Sequence, residues 1–136
     1  FRSSWEAALM ERFDSSDNIL SWASEEIKIA YVSPVDGEWH NYHPDFLIKQ
    51  RRKDGTTENV LIEVKPKHEI LPPQKKKNQK AASWNESVRK WAVNMKKWEA
   101  AMGWCQKHGA RFLLVTKSDW GGFQYIDGSK IEKMLK

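Results

Sequence analysis

The sequence predicts an α/β fold: a central mixed β-sheet flanked by helices, with a core order of αβββαβ. Three observations point there. Two apolar runs between Tyr42 and Lys67 are joined by the polar turn Lys53-Asp54-Gly55-Thr56, the pattern of a β-hairpin. Trp84, Val88, Trp91, Met95, Trp98, Met102 and Cys105 then recur at alternating spacings of four and three, which marks a long helix with one apolar face. Arg111 to Thr116 follows as a buried-strand segment, so the long helix joins two strands that lie parallel through a right-handed crossover. The chain, 1–136, has the length of a single domain with a sizeable core.

Each element has a local reason. Ser3-Ser4 precedes a helix in which Trp5, Leu9 and Phe13 share one face at i, i+4, i+8 spacing, with Glu6 beside them. The polar run from Asp14 to Asn18 ends it. Ile19 to Ala23 and Ile27 to Val32 are short strand segments split by Ser24-Glu25-Glu26. Ser33-Pro34-Val35-Asp36-Gly37 is turn chemistry, and Glu38 to Tyr42 returns as a strand. Pro66 ends the second hairpin strand because it has no N–H for the ladder. Residues 66–83 include Pro72-Pro73 and three consecutive lysines and lack apolar periodicity, so they read as a long irregular basic loop. The long helix spans about 84–108 and stops at Gly109. Trp120-Gly121-Gly122 is a loop, and Ile131 to Leu135 forms a short terminal helix.

The hairpin also carries the chemistry. Glu63 and Lys65 are two apart and project from one face of a strand. Asp45 joins them only in one register. A two-residue turn at Asp54-Gly55 would set Asp45 opposite Val64, on the wrong face. A three-residue loop with Gly55 in the left-handed position of a bulge pairs Arg52 with Thr56 and Asp45 with Glu63. The bulged register, or an equivalent irregularity near Pro44, is therefore expected. Directly opposed side chains have Cβ atoms about 4.5–5.5 Å apart, close enough to share an ion. Two carboxylates supply hard oxygen ligands for Mg²⁺, which retains several waters and accepts phosphate oxygens as further ligands. The ammonium beside them suits transition-state charge on a phosphodiester.

The charge distribution agrees with that substrate. The net charge is +5 and the pI about 9.3. Lys65, Lys67, Lys75, Lys76, Lys77 and Lys80 fall in one stretch opposed only by Glu69, which suits contact with a DNA backbone without base readout. Arg89, Lys90, Lys96 and Lys97 flank the tryptophan stripe and are candidates for lining a DNA groove, whereas the stripe itself fits a core face or partner seam better than base stacking. His40 and His43 are three apart on a strand and point to opposite faces, so they read as structural residues or DNA contacts rather than a metal pair. Cys105 is the single cysteine, excludes an internal disulfide, suits a reducing compartment and reads as an inert core thiol. No apolar run is long enough to span a bilayer and no signal-peptide pattern opens the chain, so no membrane partner is expected.

Pro44-Asp45 followed by Glu63-Val64-Lys65 resembles the PD-(D/E)xK signature of the restriction-endonuclease-like superfamily. Phe1-Arg2-Ser3-Ser4-Trp5-Glu6, Ser33-Pro34-Val35-Asp36-Gly37, Tyr42-His43-Pro44-Asp45-Phe46, Ile62-Glu63-Val64-Lys65-Pro66-Lys67 and Val93-Asn94-Met95-Lys96-Lys97-Trp98 resemble, more specifically, the head-completion nucleases of large contractile-tailed bacteriophages. That similarity runs from Phe1 to about Trp120. It implies a Mg²⁺-dependent endonuclease, with Mn²⁺ able to substitute, acting on double-stranded DNA around the end of genome packaging. Phage head or portal proteins are the implied further partners, and the host cytoplasm during assembly, and then the virion, the implied location. Asp45, Glu63 and the Val64 carbonyl are the implied metal ligands, and Glu6 the first-helix glutamate that completes the shell, although the Ser3-to-Glu6 spacing also fits a capping box. Lys65 is the implied residue that positions or activates the water. Lys67, Lys75, Lys76, Lys77, Lys80 and Lys97 are the expected DNA contacts. Phe1 opens the chain in place of Met, which implies a preceding segment, basic in the family. The alternative is a virion assembly protein that binds DNA ends or the portal and no longer cleaves.

Overall fold

The computed structural model describes residues 4–118 and 121–135, so the Ser3 cap and Trp120 lie outside it. In chain order the elements are α1 (Ser4–Ser15), β1 (Ile19–Ser24), β2 (Ile29–Val32), β3 (Trp39–Tyr42), β4 (Phe46–Arg51), β5 (Thr57–Val64), α2 (Lys67–Ile70), α3 (Ala81–His108), β6 (Ala110–Lys117), β7 (Phe123–Asp127) and α4 (Gly128–Leu135). Five strands form one mixed sheet in the order β1-β4-β5-β6-β7, in which only β5 and β6 are parallel. That parallel pair is what a helix connecting β5 to β6 requires. The fold is the expected mixed sheet between helices.

Strand alternation sorts the core into two layers. Phe46, Ile48, Val60, Ile62 and Val115 meet Leu9 and Phe13 of α1 on one face. Phe13 sets its ring edge-on to Phe46, with centroids 5.2 Å apart, a favoured aromatic geometry. Leu61, Phe112 and Leu114 meet Met95, Trp98, Ala101 and Cys105 of α3 on the other face. Trp98 is fully buried, so the tryptophan stripe is core from its middle onward. Toward its start the helix runs past the sheet, and Val88 is exposed. Gly109 ends α3 in the left-handed conformation, its N–H bonded to the Cys105 carbonyl.

Several boundaries differ from the sequence expectation. α3 starts at Ala81, ahead of Trp84, because a helix can begin before its apolar stripe does. The basic segment 66–83 is not wholly irregular: α2 forms directly after Pro66 and is held by one buried anchor, Ile70, too little to produce periodicity. β7 was not anticipated beyond the loop at Trp120-Gly121-Gly122. Its five residues at the sheet edge carry too weak an alternation to announce a strand. β2 and β3 pair only with each other, as a separate ribbon. Ile29, Tyr31 and Tyr42 bury the ribbon's inner face against the α3 layer.

The hairpin turn takes the bulged register. β4 and β5 pair from Phe46↔Ile62 to Arg51↔Thr57. Beyond the ladder, Arg52 N–H donates to the Thr56 carbonyl at 2.7 Å and Gly55 N–H to the Arg52 carbonyl at 3.0 Å. Gly55 has φ +86°, a conformation that side chains disfavour. A Cβ there would touch nothing within 4 Å, so Gly55→Ala isolates backbone strain. Urea unfolding should show a loss of about 1–2 kcal/mol for Gly55→Ala. Gly103→Ala, in the interior of α3 and equally open, should gain up to about 1 kcal/mol by the same measurement.

Candidate active site

Asp45 stands one residue before β4. Continuing the ladder by one step beyond Phe46↔Ile62 sets it opposite Glu63. Two backbone contacts hold it there: its Oδ2 accepts the Val64 N–H at 2.7 Å, and its carbonyl accepts the Glu25 N–H at 3.1 Å. Pro44, fully buried, fixes the approach. Glu63 follows Leu61 on the α3 face of the sheet and is only 5% exposed. Lys65 is the next residue on that face and is half-buried. Its N–H donates to the Val115 carbonyl at 3.0 Å and so extends the parallel pairing past the end of β5.

The charges are strongly coupled. Burial, then the neighbouring Asp45 charge and a proton the two carboxyls can share, push the Glu63 carboxyl well above the usual range. Lys65 opposes that shift without cancelling it. Lys97 of α3 reaches the same place. Burial and the adjacent Lys65 charge lower its pKa, while Glu63 works the other way. Its Nζ also lies 5.9 Å from the Tyr31 ring centre and 5.7 Å from that of Tyr42, within cation–π range. The structure therefore brings together Asp45, Glu63, Lys65 and Lys97 from two strands and a helix.

Other expected residues lie apart. Glu6 is half-buried on α1, the helix that covers the opposite face of the sheet. Among the described residues no group of three or more His, Cys, Asp or Glu side chains is arranged to hold a metal ion. Lys67, Lys75, Lys76, Lys77 and Lys80 are all exposed on the segment that leaves the site. Lys96 points to solvent near Glu99, at 3.9 Å. His40 bonds Asp36 at 2.8 Å and His43 is exposed, so the two do not form a metal pair. Burial pushes the Cys105 thiol up to about 12, which keeps it inert.

Three polar residues at or near the site escaped the sequence reading. Tyr42 buries its hydroxyl close enough to Glu63 to couple with it, yet makes no well-formed hydrogen bond, and its pKa is raised by burial and then by Glu63. Thr116 falls beside Lys65 in the β5–β6 register, with its hydroxyl buried and unpaired. Asn94 is buried on α3. The signal for Asn94 was present: a polar residue on the apolar stripe between Trp91 and Trp98.

Two opposed carboxyls close enough to share a proton, one of them buried, are costly to ionise together. A divalent cation fits such a pair. Mg²⁺ needs only one or two protein carboxylates when substrate phosphate and water complete its shell. Asp45 and Glu63 have that chemistry, and the Val64 carbonyl is adjacent in sequence.

A mixed sheet between helices, with paired carboxyls and a lysine at the end of its parallel strands, is a restriction-endonuclease-like arrangement. Residues 16–117 match the TnsA-like endonuclease N-terminal family, and the chain belongs to it. The chain is also 32% identical over 120 residues to the head completion nuclease of enterobacteria phage T4, covering 86% of this chain and 77% of the phage protein. No solved structure matches it. The family match includes Asp45, Glu63, Val64 and Lys65 but starts after α1, leaving Glu6 outside.

Because the Glu63 pKa is raised in the native state, folding favours its protonated form. Its full stability is present below the ordinary glutamate range and is lost as pH rises from that range toward the raised native value. Glu63→Gln should therefore raise the thermal midpoint at neutral pH and have little effect near pH 4, as read by a pH series of melting curves. Mg²⁺ should raise the midpoint of the parent protein more than that of the variant.

Proposed function

We propose that the protein is a Mg²⁺-dependent endonuclease that hydrolyses phosphodiester bonds of double-stranded DNA during phage head completion. The observation that carries this reading is the Asp45–Glu63 pair held in register with Lys65 alongside, in a chain of an endonuclease family. Asp45, Glu63 and the Val64 carbonyl would hold the cation, with Mn²⁺ able to substitute. When bound, that ion supplies Lewis-acid charge to the phosphate and acidity to a water. The Val64 N–H fixes one oxygen of Asp45 and leaves the other for ligation. Lys65 orients the water and stabilises the extra negative charge as the new P–O bond forms and the bond to a sugar oxygen breaks. Glu6 acts from α1 as an outer support of the shell. Lys67, Lys75, Lys76, Lys77 and Lys80 hold the DNA backbone as mobile point charges, which gives affinity without sequence readout.

Head or portal proteins are the proposed further partners, and the host cytoplasm during assembly, followed by the virion, the proposed location. No described helix is long and apolar enough to cross a membrane. The second reading is a DNA-end-binding or portal-binding protein that no longer cuts.

Supercoiled plasmid incubated with the purified protein decides between them. Mg²⁺ or Mn²⁺ should nick or linearise the plasmid and EDTA should stop it, whereas an intact plasmid in both metals supports the binding-only protein. Asp45→Ala and Lys65→Ala should each lower the cleavage rate by about 10²- to 10⁴-fold while duplex binding stays close to that of the parent. Wild-type cutting by either variant removes that residue from the mechanism.

A further inference from the structure

A cleft of about 430 Å³ opens beside the carboxyl pair, between the turn joining β2 to β3 and the exposed part of α3. Lys65 lines it, so the ammonium next to Glu63 forms the wall shared by the pair and the cleft. Arg89, Lys90 and Lys97 line the helix side. Val35 and Val93 supply apolar wall. Asn94, only 7% exposed, is also part of the lining. An amide carries two donors and an acceptor, so one set in a cleft wall can bond a ligand oxygen. Glu69 and Glu86 are the opposing charges in the lining. Glu86 is held by Arg89 at 3.2 Å, but both are more than half exposed, where such a pair contributes little and readily gives way to a phosphate.

We infer that this cleft is a subsite for one nucleotide of the strand being cut, flanking the scissile phosphate. This rests on the endonuclease reading and adds the path of the strand. The volume lies within the range of small-ligand pockets, about 300–1,000 Å³, and suits a single nucleotide drawn away from a duplex. The cations take its phosphate, the Asn94 amide donates to a phosphate or sugar oxygen, and Val35 with Val93 pack against the sugar. Lys65 stays with the scissile phosphate, and Lys97 links the subsite to Glu63. Cutting is tied to correct seating of the neighbouring nucleotide, and α3 adds affinity for that strand to the general attraction of the exposed lysine segment.

The test pairs steady-state cleavage of a labelled duplex in Mg²⁺ with binding of the same duplex by anisotropy in Ca²⁺ across a salt series. Asn94→Ala should raise KM by about tenfold, the loss of one hydrogen bond to a charged group, with kcat at saturating DNA close to that of the parent. The double variant Arg89→Ala/Lys90→Ala, at exposed positions, should raise KM and lower the slope of log affinity against log salt by about two. Lys49→Ala/Lys107→Ala, exposed and outside the cleft, controls for the loss of two positive charges and should change neither. Unchanged KM and slope in the double variant overturn the subsite, and so does a loss confined to kcat. If Asn94→Ala melts too early to assay, the double variant alone decides. A parent protein that cuts nothing defeats the endonuclease reading, and the anisotropy arm still reports on the cleft.

Discussion

The register of β4 against β5 is the constraint on which the site depends. Side-chain direction alternates along a strand, so a slip of one residue would send Asp45 to the α1 face and leave Glu63 facing α3 alone. Gly55 prevents that slip because its left-handed backbone admits a third residue into the turn. Asp54 reinforces it by accepting the Thr56 N–H at 2.9 Å. At the other end of the hairpin, the bond from Val64 N–H to Asp45 closes the ladder with a side chain in place of a carbonyl. A turn at one end of the strands thus sets the geometry of carboxyls at the other.

The two faces of the sheet divide the work. α1 covers one face with apolar side chains and anchors the hairpin through Leu9, Phe13 and Phe46. α3 covers the other with apolar residues along most of its length but brings Lys97, Lys90 and Arg89 to the end where the carboxyls lie. The same helix is therefore core and cation source. The ribbon of β2 and β3 completes the enclosure, since Tyr31 and Tyr42 bury their rings while cradling the Lys97 ammonium. Burial on this face makes Glu63 hard to ionise alone, so a cation that bound there would displace its proton.

The positive charges fall into two kinds. Those on residues 67–80 stand in solvent, where screening at physiological salt limits their reach to about 8 Å and their role to general attraction. Lys65 and Lys97 are partly withdrawn from water and coupled to Glu63, so their charge acts on that carboxyl with less screening. The sequence shows eye-catching lysine runs in the first group, but the tertiary structure gives the second group its leverage.

Local periodicity and turn chemistry were sufficient to read the hairpin, its bulge, the long helix, the parallel strand after it and the proximity of Asp45, Glu63 and Lys65. These depend on residues close in sequence or on a register that one glycine decides. The edge strand β7 and the single turn of α2 were hidden because each is stabilised by neighbours rather than by its own pattern. Sequence could suggest that Lys97 and its basic neighbours met the nucleic acid. Only the packing of α3 across the sheet, more than thirty residues after Glu63, put Lys97 beside Glu63 and Asn94 in the wall of a cleft. Such contacts join residues from separate elements, and their distances are fixed by how whole layers pack, which no local spacing encodes. The chain by itself determined a carboxyl pair with its ammonium; the layers around it decided which charges it would feel and opened a cleft beside it.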